Sequence, residues 1–144
     1  MSQVVLNLGE LNDIIDKATA VQGNLVRVRV IAQFHGLCNT NDHATVDPEY
    51  IGLLFNTVPY FHHLDTNGRN LSKMIIDESL YHSQFLNNKH APQYGDVVDL
   101  RCCIMDSRVE IMDMKLLKLR EVTQLKQFLD SSVGQRFLEI SKGS

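Results

Sequence analysis

The sequence contains no G-x-x-x-x-G-K-[ST] phosphate loop, no G-x-G-x-x-G, no G-x-S-x-G and no H-E-x-x-H. That leaves the common nucleotide-dependent, serine-hydrolase and zinc-protease chemistries without their residues, and no enzyme is expected. No run is long and apolar enough to span a bilayer. Met1-Ser2-Gln3 offers neither a charged n-region nor a cleavable apolar segment, so no secretory signal is expected. Cysteine is scarce: Cys38, Cys102 and Cys103 form an odd set without C-x-x-C spacing, which predicts reduced thiols in the cytosol or nucleus. An excess of positive charge is missing as well. With 14 Lys and Arg against 17 Asp and Glu the net charge is -3, whereas a strong autonomous nucleic-acid binder is usually basic. Any such role must be local, weak or shared with another subunit.

What is present is an ordinary globular composition, 44% hydrophobic and 22% charged, in 144 residues, which suits one domain over 1–144. Leu8, Leu11, Ile14, Ile15 and Ala18 recur at helical spacing, with Asn7 or Asn12 as a cap. Gln22-Gly23-Asn24 ends that helix, and Leu25–Ile31 alternates as a strand. Val26, Val28 and Val30 line one face of it, Arg27 and Arg29 the other, with continuation toward Phe34 through a bulge. Residues 36–49 read as a long polar loop, and residues 50–64 as one bent strand or two short ones, broken at Pro59. Asn67-Gly68 marks a hairpin, and residues 71–77 return as a strand. A short helix is expected at 78–86, then strands at 97–105 and 109–119 around an Asp106-Ser107 turn, then an amphipathic helix at about 123–140. Cys102 and Cys103, adjacent on a strand, must face opposite ways. Five strands, a helix between the third and fourth and helices at both ends predict a mainly β fold, the five-stranded OB-fold barrel.

The terminal helix carries the main functional expectation. Val122, Leu125, Phe128, Leu129, Val133 and Phe137 fall near one stripe, extended by Ile140. Burying such side chains is worth about 1.5–3 kcal/mol each, so the stripe must be covered. It can pack on this barrel or dock to a second chain, and a patch of this size on a small domain points to a partner. Gly134 weakens the helix, ending its first segment or admitting a close partner. Arg27, Arg29 and Lys73, with Arg69 in the hairpin, are candidate contacts to single-stranded DNA; Tyr50, Phe55, Tyr60 and Phe61 are the candidate stacking aromatics, most of them expected in the core. A solvated barrel exterior explains the same cations. His35, Cys38 and His43 lie close together with Asp42 and Asp47 nearby, but their spacing matches no common zinc finger and a firm fourth ligand is missing. No metal or cofactor is therefore expected, and a small metal-dependent hydrolase built on those three residues is the rival of a different class.

The start Met1–Leu8, the segment Val26–Ile31 and the segment Lys115–Arg120 together resemble the smallest subunit, Ten, of the telomeric CST (Cdc-Stn-Ten) complex in its budding-yeast form. The resemblance implies a single non-catalytic OB fold that pairs directly with the Stn subunit. It implies an association with the Cdc large subunit through the assembly, and weak or indirect contact with single-stranded telomeric DNA. It also implies a nuclear, telomeric location, protection of chromosome ends and regulation of telomere replication. Pairing in that family uses the C-terminal helix and adjoining barrel, which here means Val122, Leu125, Phe128, Leu129, Val133 and Phe137. The nearest rival is the smallest subunit of replication protein A, serving general replication and repair.

Overall fold

The computed structural model describes residues 3–19, 25–38, 49–59, 61, 71–105 and 107–136. The alternation of valine and arginine drives the longest strand. It belongs to the set β1 (Gln3–Val5), β2 (Val26–Leu37), β3 (Tyr50–Asn56), β4 (Leu71–Asp77), β5 (Val97–Met105) and β6 (Arg108–Leu117). Hydrogen bonding runs β1-β2-β3-β4-β6-β5, and β5 pairs back onto β2, closing β2 to β6 into a barrel. Among the described strands only β4 with β6, and β1 with β2, are parallel. This order, with a helix between β4 and β5, is that of an OB fold.

β2 reaches around the barrel because two other barrel strands, β5 and β3, pair along successive parts of it. Residues 26–33 pair with β5, and residues 33–37 pair with β3. The register shifts between Phe34 and Gly36, and Gly36 takes φ 112°, which a side chain resists. The bulge thus falls at His35, beyond the expected end of the strand, which runs on to Leu37. The extended start at residues 3–5 is a sixth strand lying parallel on β2. β3 ends at Asn56, ahead of the break expected at Pro59: Thr57 is buried and its Oγ1 accepts from the Leu8 N–H at 3.0 Å, and Pro59 has no N–H to continue a ladder, while residues 62–64 lie outside the described residues. The Asn67-Gly68 hairpin and residues 39–48 lie outside the described residues, but β3 and β4 do pair antiparallel.

Helix α1 (Leu8–Thr19) is capped by Asn7, whose Oδ1 accepts from the Gly9 N–H at 2.8 Å. Its Leu8 and Leu11 enter the barrel interior beside Val28, Val30, Phe55 and Leu100. Helix α2 (Glu78–Tyr81) is capped by Asp77 and widens into a π turn over His82–Leu86. Its Leu80, Tyr81 and Phe85 pack against the same interior, where Phe85 meets Phe34 at 5.4 Å between ring centroids. Cys102 points into this core and Cys103 outward, and no disulfide forms.

Helix α3 (Leu119–Asp130) starts a turn earlier than its apolar stripe suggests, because Glu121 accepts from the Lys118 N–H at 3.3 Å and fastens the first turn. It also stops ten residues sooner than expected. Ser131 turns extended (φ -78°, ψ 163°), and its Oγ accepts from the Gly134 N–H at 3.1 Å, opening a separate helical turn at 132–136. A Cβ at Gly134 would sit 2.6 Å from the Leu129 Cα, so glycine is what lets that turn fold back on the end of α3.

Candidate partner-binding site

Inward residues of β2 fill the barrel, so its outward residues, Arg27, Arg29 and Ile31 in turn, face whatever lies outside. α3 covers the last of these. Val122 and Leu129 are buried in a second apolar cluster with Leu6, Ile31, Val58 and Phe61, and Val97, Leu117 and Leu125 are partly buried at its margin. The stripe therefore divides. Val122 and Leu129 take the first of the two places open to it, packing on this barrel, and that corrects their assignment to a partner contact: the outer faces of β2, β5 and β6 carry Ile31, Val97 and Leu117 where the helix lies. Phe128 remains 42% exposed, Val133 64% and Leu119 74%, with Leu125 between the two sides. Phe137 and Ile140 lie outside the described residues. Sequence reasoning missed Leu119, since it placed residue 119 in the preceding strand.

The cations separate as well. Arg29 is held by Asp99, with its Nε 2.9 Å from Oδ1, and that hydrogen bond raises the guanidinium's pKa above its ordinary value. Lys73 stands opposite Leu54 on β3, with its aliphatic stem beside Gly52, away from the β2–β5 ladder of Arg27 and Arg29. The three do not form one groove. Arg27 instead neighbours Arg101, with Cys103 and Met112, along the outside of β2, β5 and β6. Arg101 and Arg108 were legible as outward positions of their strands, but only closure of β5 onto β2 brings them to Arg27.

Two of the candidate aromatics are internal, as expected of most of them. Phe55 and Phe61 are buried, and Tyr50 lies beside Glu110, whose charge chiefly raises its hydroxyl pKa. Tyr60 is outside the described residues. The His35 ring stands 5.0 Å from that of Tyr94, and Cys38 is buried against Gly52, where an added Cβ would approach it to 3.1 Å. His43, Asp42 and Asp47 lie outside the described residues. Among the described residues no group of three or more His, Cys, Asp and Glu could hold a metal, and no helix is long and apolar enough to cross a membrane.

No protein-family model matches the sequence, and no curated protein matches it. Among solved structures it is similar to the crystal structure of yeast Stn1 and Ten1, at 30% identity with a TM-score of 0.72, over 93% of this chain and 96% of that one. A likeness at that identity along nearly all of both chains reaches past a shared barrel to common descent. With fold and sequence both alike over nearly the whole length, the chain belongs to the Ten1 family of telomeric CST-type OB-fold subunits.

Proposed function

We infer that this chain is a non-catalytic subunit that pairs directly with a Stn-type subunit through the uncovered side of α3, all of 1–144 acting as one OB-fold unit. In this reading the pair joins a Cdc-type large subunit in a nuclear complex at telomeres, where it protects chromosome ends and regulates their replication. The observation that carries it is the likeness to the yeast Stn1 and Ten1 structure. The exposed Leu119, Phe128 and Val133 supply the physical reason, since apolar side chains beside a covered cluster gain free energy from a partner. Contact with single-stranded telomeric DNA is secondary. A net charge of -3 gives the isolated chain little phosphate attraction, Arg29 is already paired, and Arg27 and Lys73 sit apart.

Co-expression with the Stn-type and replication protein A subunits of the same organism tests the pairing. Affinity capture is expected to recover the Stn-type subunit, and Phe128→Asp with Val133→Asp is expected to abolish recovery while the chain stays folded. Undiminished capture by that double variant would sink the α3 surface as the contact, and recovery with the replication subunits would replace the telomeric setting.

A further inference from the structure

The chain is acidic overall, yet one face of it is not. Four of its seven arginines, Arg27, Arg29, Arg101 and Arg108, line two adjoining grooves outside the barrel, of about 490 and 300 Å³. The grooves share Arg27, Cys103 and Met112 and so are continuous. Among the described residues the acids within reach are few and partly engaged. Asp99 is bound to Arg29, Glu110 hydrogen-bonds Tyr50, and Asp113 stands across the ladder from Arg101. Among the described residues Arg27, Arg101 and Arg108 form no ion pair.

The floor between these cations is apolar and soft. Leu25 is 49% exposed, Met105 44% and Met112 53%, the last lifted out of the sheet where β6 bulges opposite Arg101 and Cys102. Exposed methionines around an arginine rim adapt their shape to apolar side chains, while the guanidinium forks take carboxylates. Among the described residues no aromatic ring lines either groove, so they offer no stacking platform of the kind that single-stranded nucleic acid uses. The face is also separate from the α3 contact. Ile31, under α3, stands four positions along β2 from Arg27, about 13 Å at strand rise.

We propose that this groove is a second docking surface, for an acidic segment of a partner protein that seats apolar side chains on Leu25, Met105 and Met112 and carboxylates on Arg27, Arg101 and Arg108. It stands independently of the pairing through α3.

Cys103 gives a direct readout, because it lines both grooves while Cys38 and Cys102 are buried. The full chain is mixed with activated-disulfide probes, and the rate of mixed-disulfide formation at Cys103 is followed by mass spectrometry. The probes are a peptide of alternating Glu and Leu, its Lys–Leu and Glu–Ser counterparts, and an oligo(dT), with Cys103→Ser as the blank. The Glu–Leu peptide is expected to react about tenfold faster than the other three, an advantage that salt erodes. Arg27→Glu with Arg101→Glu is expected to transfer the advantage to the Lys–Leu peptide, and Met112→Asp to lower the Glu–Leu rate toward that of Glu–Ser. Phe128→Asp with Val133→Asp is expected to change nothing. Equal rates for all probes, fastest capture of oligo(dT), or preferential Cys103-linked dimers of the chain itself would each overturn the proposal. Should the arginine variant unfold, loss of the Glu–Leu advantage in high salt on the native chain decides the same question.

Discussion

At Gly134 a single hydrogen in place of a methyl group decides how the chain leaves α3. The site is buried and an added Cβ would lie 2.6 Å from the Leu129 Cα, a backbone atom that cannot step aside. Gly134→Ala is expected to push the 132–136 turn off the helix end, costing about 1–3 kcal/mol, measured by chemical denaturation. It would also move Val133 and so weaken capture of the partner. Cys102 is a second residue whose surroundings set its chemistry. Burial, then Cys103 and Asp99, push its thiol up to about 12, against 9.0 for an ordinary thiol. Between those values the unfolded chain has given up a proton that the folded chain retains. Stability is therefore expected to fall as pH rises through about 9 toward 12, and Cys102→Val to flatten that loss relative to the parent chain. Alkylation at neutral pH is expected to label Cys103 and spare Cys102, read by peptide mass mapping.

At the scale of elements, α3 packs on the barrel through one side and exposes Phe128 on the other, the side proposed to take the partner. Val122 and Leu129 are 3% and 4% exposed, so Leu129→Ala should behave as a core truncation and cost about 2–5 kcal/mol in denaturant unfolding. Phe128→Asp and Val133→Asp act on the exposed side and are expected to leave the unfolding midpoint nearly unchanged while abolishing pairing. Leu125 touches the covered cluster, so Leu125→Asp is expected to disturb both, and its phenotype alone cannot separate them. The Arg29–Asp99 pair beside the helix-covered patch joins β2 to β5. With the Arg29 side chain 49% exposed, Arg29→Ala should cost about 1 kcal/mol or less.

For the molecule as a whole, the expected behaviour is that of an assembly part. The isolated chain should bind single-stranded telomeric DNA feebly and with a shallow salt dependence, and binding should strengthen in the complex, as fluorescence anisotropy across a salt series would show. Tight binding by the chain alone would contradict the division of labour drawn from its charge of -3.

Much of this was legible in the sequence because it is local. Alternation in Val26–Ile31 and Val97–Met105 set those strands and their inward faces, and Cys102 and Cys103 were bound to diverge. Helical spacing with Asn7 before it set α1, and the stripe in 122–133 marked α3. What the sequence could not carry is which outward residues meet. Arg27 finds Arg101 and Cys103, and Ile31 finds Val122 and Leu129, only because β5 returns to β2 and closes the barrel. Periodicity states which side of an element is apolar. Whether that side is covered depends on strand pairing across 70 and more residues of chain, as in Arg29 with Asp99, and that only the tertiary structure decides.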